Sequence, residues 1–263
     1  MAKVCQLFSG SSGNSILISS KGRNYLVDIG VSAKRCEQAL LENNVAPQSV
    51  EAILITHEHS DHTSGLRVFS SRYHTPVYAP KHCISNMQST GIINEKVNIS
   101  AFDWHLELEG VSIKAFQQSH DSVDCVGYRF DFSGIEKKSI SICTDTGYIT
   151  DNAREITKGT DLIFIESNHE ISMVEMGPYP YPLKKRILGP QGHLSNFACG
   201  EFIKELAKSG TKRFVLSHLS RENNMPDIAR QTALSALAEL GLKEGVDYRL
   251  YVSSPQGNRS IVL

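Results

Sequence analysis

The seven residues from Thr56 to His62 constrain this chain more than any other stretch, because they read Thr-His-Glu-His-Ser-Asp-His. Three imidazoles and two carboxylates in so short a run suit neither an ordinary surface nor a buried core. Four of the side chains are good ligands for a borderline divalent ion such as Zn²⁺ or Mn²⁺, namely His57, His59, Asp61 and His62. The preceding Ala52–Ile55 is a short apolar run typical of a buried strand. The sequence therefore predicts a metal site on the turn that follows this strand.

The residues after the turn favour a helix, with Ser60 or Asp61 as its N-cap and Gly65–Phe69 within its course. The turn would then lie at the carboxyl end of a strand, where α/β folds commonly build their sites. His57 and His59 would converge on one ion, while Asp61 and His62 would face another. The alternative is a polar turn with incidental histidines, and the density of ligand-type side chains argues against it.

The length, net charge and cysteine content of the chain agree with a soluble enzyme. At 263 residues the chain is long enough to bury a sizeable core, and its net charge of −1 leaves any nucleic-acid partner to local basic patches. The first residues lack the apolar stretch of a signal peptide, and no apolar run reaches transmembrane length. Six scattered cysteines without a CxxC pair are typical of reduced, buried thiols. We therefore expect a cytoplasmic protein with no membrane partner and leave its oligomeric state open.

Strand-like and helix-like segments alternate along the chain without a linker or a repeat. This pattern predicts two sheets packed together with helices outside, in one domain that spans residues 1–263. The predicted strands are Val4–Phe8, Ser15–Ser19, Asn24–Asp28, Ala52–Ile55, Val77–Ala79, Val111–Phe116, Val126–Phe132, Ser139–Cys143, Leu162–Glu166, Phe214–Leu216, Arg249–Val252 and Ser260–Val262. The predicted helices are Ala33–Asn43, Lys81–Ser89, Ser195–Lys208 and a last one that is capped by Asn224 and ends near Gly241.

Three more ligand-type residues, His120, Asp145 and His218, follow predicted strands. Each alone has an ordinary explanation, a hydrogen-bonded histidine or an Asp-Thr-Gly turn. Together with the residue 57–62 cluster they supply the donors that two metal ions need, about seven or eight in all. Asp28 ends another apolar run, and we expect its carboxylate to orient the ligand turn by a hydrogen bond.

The order of these residues resembles the five motifs of the metallo-β-lactamase superfamily. The resemblance implies an α/β fold, a metallo-β-lactamase-like αββα four-layer sandwich, with a dinuclear metal site. By this resemblance His57, His59 and His120 would hold one metal, and Asp61, His62 and His218 would hold the other, with Asp145 bridging both. The complete His-x-His-x-Asp-His motif favours the hydrolase and nuclease branches over the lactamases proper.

Five further segments are similar to the YycJ family, also called WalJ or VicX: Ser9–Ser15, Cys143–Tyr148, Phe164–His169, Gly192–Asn196 and His218–Asn224. This resemblance implies a metal-dependent DNA exonuclease of 5′-to-3′ polarity. The residues themselves do not separate Zn²⁺ from Mn²⁺, DNA from RNA, or one polarity from the other. They also leave open the pathway, such as DNA repair or cell-wall signalling.

The Gly192–Asn196 segment is similar to the histidine motif of tRNase Z-like nucleases, and Glu166 stands where their supporting glutamate lies. The resemblance implies three catalytic residues, Asp61, His193 and Glu166. In phosphodiester hydrolysis a hydroxide activated by two metals attacks in line, and the departing alkoxide needs a proton. A histidine paired with a carboxylate can donate that proton. The alternative is that His193 only orients the helix that begins at Ser195.

Three short segments are candidates for contact with the substrate: Ser11, Ser12 and Asn14, then Lys184, Lys185 and Arg186, then Ser195 and Asn196. The Gly-Ser loop around the first segment can cradle a phosphate, or it can be a plain hairpin turn. The basic triplet follows the Pro- and Tyr-rich residues 177–182, so that tyrosines would stack on bases while cations follow the backbone. A solvated charged face beside a rigid loop is the alternative.

Three other functions compete with a DNA exonuclease. A small-molecule metallohydrolase for thioesters or lactones, similar to glyoxalase II, would use the same metals but would not need His193, because a thiolate leaves easily. An RNA-processing nuclease would often carry an added exosite or a clamp domain, and neither is visible in 263 residues. A regulatory or scaffold protein would tolerate loss of ligands, whereas this set is complete.

Overall fold

The computed structural model describes residues 2–134, 137–255, 257 and 260–263. Its strands are β1 (Ala2–Phe8), β2 (Ser15–Ser20), β3 (Arg23–Val27), β4 (Val50–Leu54), β5 (Val77–Ala79), β6 (Ile99–Ala101), β7 (His105–Leu108), β8 (Val111–Gln117), β9 (Val126–Phe132), β10 (Lys138–Cys143), β11 (Leu162–Glu166), β12 (Arg213–Ser217), β13 (Arg249–Val252) and β14 (Ile261–Val262). Its helices are α1 (Ala33–Glu42), α2 (Ser60–Thr63), α3 (Leu66–Tyr73), α4 (Lys81–Ser89), α5 (Asp151–Thr157), α6 (Ile171–Met176), α7 (Tyr181–Leu188), α8 (Asn196–Lys208) and α9 (Pro226–Ala238).

The chain divides into two compact units. The first comprises residues 1–106, 122–126 and 254–263, and the second comprises residues 107–121 and 127–253. The prediction that residues 1–263 form one domain stays a prediction.

The sheet of the first unit has the strand order β14-β1-β2-β3-β4-β5-β6. Strands β1 to β3 pair antiparallel, whereas β3 to β6 pair parallel. The parallel strands are almost continuously apolar, as expected for strands covered by helices. Leu26 and Ile53 of the sheet share one buried cluster with Leu40 of α1, Phe69 of α3 and Met87 of α4. The helices of this unit therefore pack on its sheet.

The second sheet has the order β13-β12-β11-β10-β9-β8-β7, and β10 to β13 run parallel. Phe202 of α8 and Leu237 of α9 pack in one buried cluster with Phe214 and Leu216 of β12. The helical stripe predicted over Ser195–Lys208 is the buried face of α8. Parallel neighbouring strands end at the same edge of a sheet, so the residues that follow β10, β11 and β12 are brought close together.

The predicted strands and helices are confirmed, mostly with bounds that differ by one or two residues, and the last helix ends three residues earlier than expected. Two predicted caps are wrong. Ser60 and Asp61 lie inside α2, which begins after His59, and α3 is a separate helix after Gly65. The residue that caps α9 is Met225 rather than Asn224, whose side-chain Oδ1 accepts a hydrogen bond from the Met225 N–H.

The basic triplet Lys184–Arg186 lies on helix α7, a helix that was not predicted from the sequence. Pro182 is compatible with this helix because it stands in the first turn, where the missing N–H has no helical partner to lose. The six cysteines are buried, as predicted. Among the described residues, none of the helices combines the length and the apolar character that a membrane span requires.

Candidate metal centre

In the first unit, the four predicted ligands of residues 57–62 lie on the turn after β4 and on α2. His57 and His62 are fully buried, and His59 and Asp61 are half-buried. The Nε2 atom of His57 lies 3.1 Å from Nδ1 of His59. The rings of His57 and His62 have centroids 4.1 Å apart, and Nε2 of His62 is 3.5 Å from an Asp61 carboxylate oxygen. Imidazole nitrogens and a carboxylate collected on one turn form a donor set that suits a divalent ion.

Asp28 contacts this turn through both of its carboxylate oxygens. It follows β3 and is buried, and its Oδ1 accepts the Thr56 N–H at 2.9 Å. Its Oδ2 accepts the Thr56 hydroxyl at 2.9 Å and faces Nδ1 of His62 at 2.8 Å. Burial raises the pKa of the Asp28 carboxyl, and the contacts with His62 and Thr56 offset part of that rise. Because Nδ1 of His62 is engaged with Asp28, its Nε2 is the atom presented for metal binding.

The side chain of Asn14 lies against the same turn, and its contact with substrate stays a prediction. Its side chain is buried, and its Nδ2 lies 3.3 Å from Asp61 Oδ2 and 3.1 Å from His62 Nε2. Its backbone N–H donates to the Asp61 carbonyl at 2.8 Å. The packing here is so close that a Cβ on Gly30 would lie 1.6 Å from that carbonyl oxygen. Asn14 therefore positions Asp61 rather than reaching into solvent.

Ser11 and Ser12 lie beside Asn14 but are exposed. Their contact with a substrate phosphate stays a prediction.

In the second unit, four titratable side chains converge from different segments. Asp145 follows β10, Glu166 ends β11, His218 follows β12, and His193 lies between α7 and α8. Each offers a possible ligand atom, and these atoms all lie within 4.8 Å of one another. The cluster contains two of the predicted ligands, Asp145 and His218, together with the predicted proton donor and its glutamate.

Three of the predicted site residues have left-handed backbone conformations within two residues of the end of a strand. The φ angles are 61° at Asp28, 64° at Asp145 and 57° at His218. Such values are uncommon for residues other than glycine and are concentrated at functional sites. Sequence alone did not indicate this shared conformation.

Glu166 anchors the second cluster. It is fully buried, and its Oε1 lies 2.7 Å from His193 Nδ1 and 2.9 Å from His218 Nδ1. Its Oε2 accepts the Thr146 N–H at 2.8 Å and the Leu194 N–H at 3.3 Å. Burial alone would raise the pKa of Glu166, but the two imidazoles and their hydrogen bonds outweigh it, so that its pKa is lowered. An ionised carboxylate is therefore held against both rings.

The structure also bears on the alternative role of His193. Ser195 caps α8 by itself, because its hydroxyl accepts the Ala198 N–H at 3.2 Å. Helix α8 therefore begins on Ser195, and the side chain of His193 is committed to Glu166 instead. This placement agrees with the predicted pairing of a histidine with a carboxylate.

His120 follows β8 and is buried. Its Nδ1 lies 3.0 Å from the Gly192 carbonyl, an arrangement that leaves Nε2 as the ligand atom. Burial lowers the pKa of His120, which favours the neutral form that binds metal. The next residue, Asp121, lies with Oδ1 3.4 Å from His120 Nε2 and receives the guanidinium of Arg186 on both oxygens.

Asn196 is only 1% exposed, and its contact with substrate stays a prediction. Its Oδ1 accepts the Ser167 hydroxyl at 2.7 Å and the amide of Asn224 at 3.0 Å. These bonds tie the start of α8 to the segments after β11 and β12. Ser195 serves as the helix cap, so its contact with substrate stays a prediction.

Sequence reasoning missed one residue that supports a ligand. The side-chain amide of Asn168 donates to the His218 carbonyl at 2.8 Å and lies 3.4 Å from His218 Nδ1. The only signal was its place in the Phe164–His169 segment, where Glu166 drew the assignment. An asparagine after a strand is too common in ordinary turns to stand out.

The basic triplet has divided roles. Lys184 donates from Nζ to the Glu175 carbonyl at 2.7 Å, and Arg186 pairs with Asp121. Lys185 is exposed. Contact of these residues with nucleic acid stays a prediction.

Known proteins match this chain both in sequence and in fold. Residues 23–219 match the family model of the beta-lactamase superfamily domain. The chain is 36% identical over 260 residues to the exodeoxyribonuclease WalJ of Streptococcus pneumoniae serotype 2, covering 96% of this chain and 94% of that protein. It is 32% identical over 257 residues to the exodeoxyribonuclease YycJ of Bacillus anthracis, covering 95% and 94%. The solved metallo-beta-lactamase fold protein YhfI from Bacillus subtilis aligns with a TM-score of 0.73 at 17% identity, over 99% of this chain and 98% of that one. The predicted fold class, the metallo-β-lactamase-like αββα sandwich, is confirmed.

Proposed function

Because the chain belongs to the metallo-β-lactamase superfamily and, within it, to the family of the exodeoxyribonucleases WalJ and YycJ, we propose that it is a metal-dependent exodeoxyribonuclease. The substrate is a DNA strand, and the reaction is hydrolysis of its phosphodiester bonds from one end. A 5′-to-3′ direction is part of this proposal and comes from the family resemblance. The observation that carries the chemistry is the buried Glu166 carboxylate against His193.

The side chains present fit divalent metal ions. Imidazole nitrogens face one another on the residue 57–62 turn, and the second unit gathers a compact group of carboxylates and imidazoles. We assign seven side chains that would hold two such ions: His57, His59, Asp61, His62, His120, Asp145 and His218. This mixture of imidazole and carboxylate suits Zn²⁺ or Mn²⁺. When bound, such ions supply Lewis acidity that neutralises phosphoryl oxygens and activates water.

His193 supplies the proton that the reaction needs at its end. Phosphodiester cleavage leaves an alkoxide, which is a poor leaving group unless it is protonated. Nδ1 of His193 is bound to Glu166, so Nε2 is the atom available to donate to the leaving oxygen. The ionised carboxylate stabilises the imidazolium before the transfer and keeps the ring oriented after it. Glu166 acts here as a positioning residue, because it touches His193 rather than the substrate.

The alternative functions receive less support. A thioester or lactone hydrolase has a leaving group that departs without an acid, so it would not need His193 paired with Glu166 as a proton donor. For an RNA-processing nuclease, the relatives that match nearly the whole chain point the other way, since both are named exodeoxyribonucleases.

The direct test is an assay of end-labelled nucleic acids. Purified protein is incubated with Mn²⁺ or Zn²⁺ and with duplex DNA, single-stranded DNA or RNA labelled at either end, beside the Asp145→Ala variant. We expect metal-dependent release of nucleotides from DNA, absent in the variant. A 5′-to-3′ enzyme releases a 5′ label at once and shortens a 3′-labelled strand progressively. No cleavage of any strand by metal-loaded protein would refute the proposal and favour a small ester or thioester, and cleavage of RNA alone would favour the RNA nuclease.

A further inference from the structure

One face of helix α7 borders a cleft of about 530 Å³ in the second unit. Four of the lining residues are spaced three or four apart on the helix, namely Tyr181, Lys184, Lys185 and Leu188, and therefore lie on one face. Glu175 of α6 and Gly189 complete the lining. The volume lies within the range of small-ligand sites.

The chemistry of this α7 cleft is aromatic and cationic. The Tyr181 side chain is 77% exposed at the start of α7, and Leu188 is 41% exposed at its end. Lys184 is held on the Glu175 carbonyl, while Lys185 extends from the exposed part of the same face. An exposed aromatic ring beside lysines is the combination with which proteins bind single-stranded nucleic acid, through stacking on bases and attraction of phosphates.

Contacts within the second unit connect α7 to the groups assigned to the reaction. Arg186 on this helix pairs with Asp121, the neighbour of the predicted ligand His120. The backbone N–H of His193 donates to the Ile187 carbonyl at 3.1 Å, and the Gly192 carbonyl meets His120 Nδ1. The helix that carries the cleft therefore packs against the segments that hold His120 and His193.

We propose that the α7 cleft binds unpaired nucleotides of the DNA strand that is being degraded, with a base stacked on Tyr181 and a phosphate beside Lys185. The proposal rests on the function proposed above and adds where its substrate lies. The two lysines against the single Glu175 carboxylate give the cleft the positive charge that a phosphate backbone requires. Stacking is indifferent to base identity, which suits an enzyme that removes successive nucleotides.

Binding measurements on the inactive Asp145→Ala protein test the cleft without cleavage. Fluorescein-labelled oligothymidine is compared with the same oligonucleotide carrying abasic sites, for the parent, Tyr181→Ala and Tyr181→Phe. We expect the abasic oligonucleotide to bind the parent roughly tenfold more weakly. Tyr181→Ala should bind oligothymidine about tenfold more weakly than the parent does, and it should no longer distinguish oligothymidine from the abasic oligonucleotide. Tyr181→Phe should restore both the affinity and the discrimination.

Lys185→Ala should reduce the slope of log Kd against log salt by about 0.7, the value for one phosphate contact on a single strand. The exposed Lys208 on α8 is the matched control, since Lys208→Ala removes the same charge outside the cleft. Thermal melting of each variant verifies that it folds. We expect folding to be unaffected, because Tyr181 and Lys185 are exposed.

Two failures are distinguishable. If the wild-type protein degrades no DNA in the end-label assay, the proposed exodeoxyribonuclease function fails. If it degrades DNA while folded Tyr181→Ala binds both oligonucleotides like its parent, the cleft proposal alone is overturned. Tighter binding of oligouridine than of oligothymidine would also overturn it, because the occupant would then be RNA.

Discussion

The two ligand clusters are built in opposite ways. The cluster of the first unit comes from one turn of seven residues, 56–62, and is braced by Asp28 and Asn14. The cluster of the second unit comes from residues as far apart as Asp145 and His218, delivered by the ends of three neighbouring parallel strands, β10, β11 and β12. The first depends on local packing, whereas the second depends on strand order and on one buried carboxylate, Glu166. A local motif can therefore be recognised as a site without knowledge of the fold, whereas the grouping of a dispersed set needs the fold or a family resemblance.

The largest expected effect comes from removing a ligand of either cluster. His59→Ala and Asp145→Ala should each bring DNA hydrolysis down to background, because each removes an assigned metal ligand. Metal content after gel filtration and nucleotide release measure the two consequences together. If His59→Ala keeps full activity while Asp145→Ala is inactive, the second cluster supports hydrolysis without the first. The expectation that both clusters are needed would then be wrong.

His193→Ala separates proton donation from metal binding within the second cluster. Metal content should be unchanged, while DNA hydrolysis slows by roughly two to four decades, the range for loss of a general acid. A p-nitrophenyl phosphodiester, whose phenolate leaves without help, should lose far less. An equal loss on both substrates would assign His193 to structure or to metal binding instead.

Glu166→Gln tests the dependence of the second cluster on its anchor. The amide preserves size but removes the charge that faces His193 and His218, so we expect a loss of about 10- to 100-fold in kcat. Comparing DNA with the p-nitrophenyl phosphodiester separates the contact of Glu166 with His193 from its contact with His218. A deficit confined to DNA means that Glu166 acts through His193, and a deficit on both means that it acts through His218. No deficit on either would remove it from the site.

Asn14→Ala should have the smallest effect, because it removes one support and no ligand. Loss of the amide beside Asp61 Oδ2 is expected to weaken metal binding by about tenfold, in the range for groups that orient ligands. A competitive chelator titration measures the affinity. Ser12→Ala, two residues away and exposed, is the control. If both variants bind metal equally well, Asn14 does not support the turn.

The sequence predicted most of the strands and the long helices, because hydrophobic periodicity and strand-like runs are local properties. It also indicated every assigned metal ligand, since the residue 57–62 run is contiguous and the remaining ligands follow recognisable strands. The resemblance to a known family supplied their grouping.

The errors have a common physical origin. The burial of Asn14 and Asn196 was not predicted, because each is covered by partners distant in sequence. Helix α7 was missed because three prolines in residues 178–182 suggested an irregular loop, although Pro182 fits a first helical turn. The supporting role of Asn168 depends on where β11 and β12 end, which tertiary structure alone determines.

We propose that this chain hydrolyses DNA with two bound divalent metal ions. The most direct measurement is a stepwise titration of chelator-treated protein with Zn²⁺ or Mn²⁺, with bound metal per chain and nucleotide release determined at every step. We expect no hydrolysis without metal, and full activity only when two ions per chain are bound. Full DNA hydrolysis by metal-free protein, or a plateau of activity at one ion per chain, would contradict it.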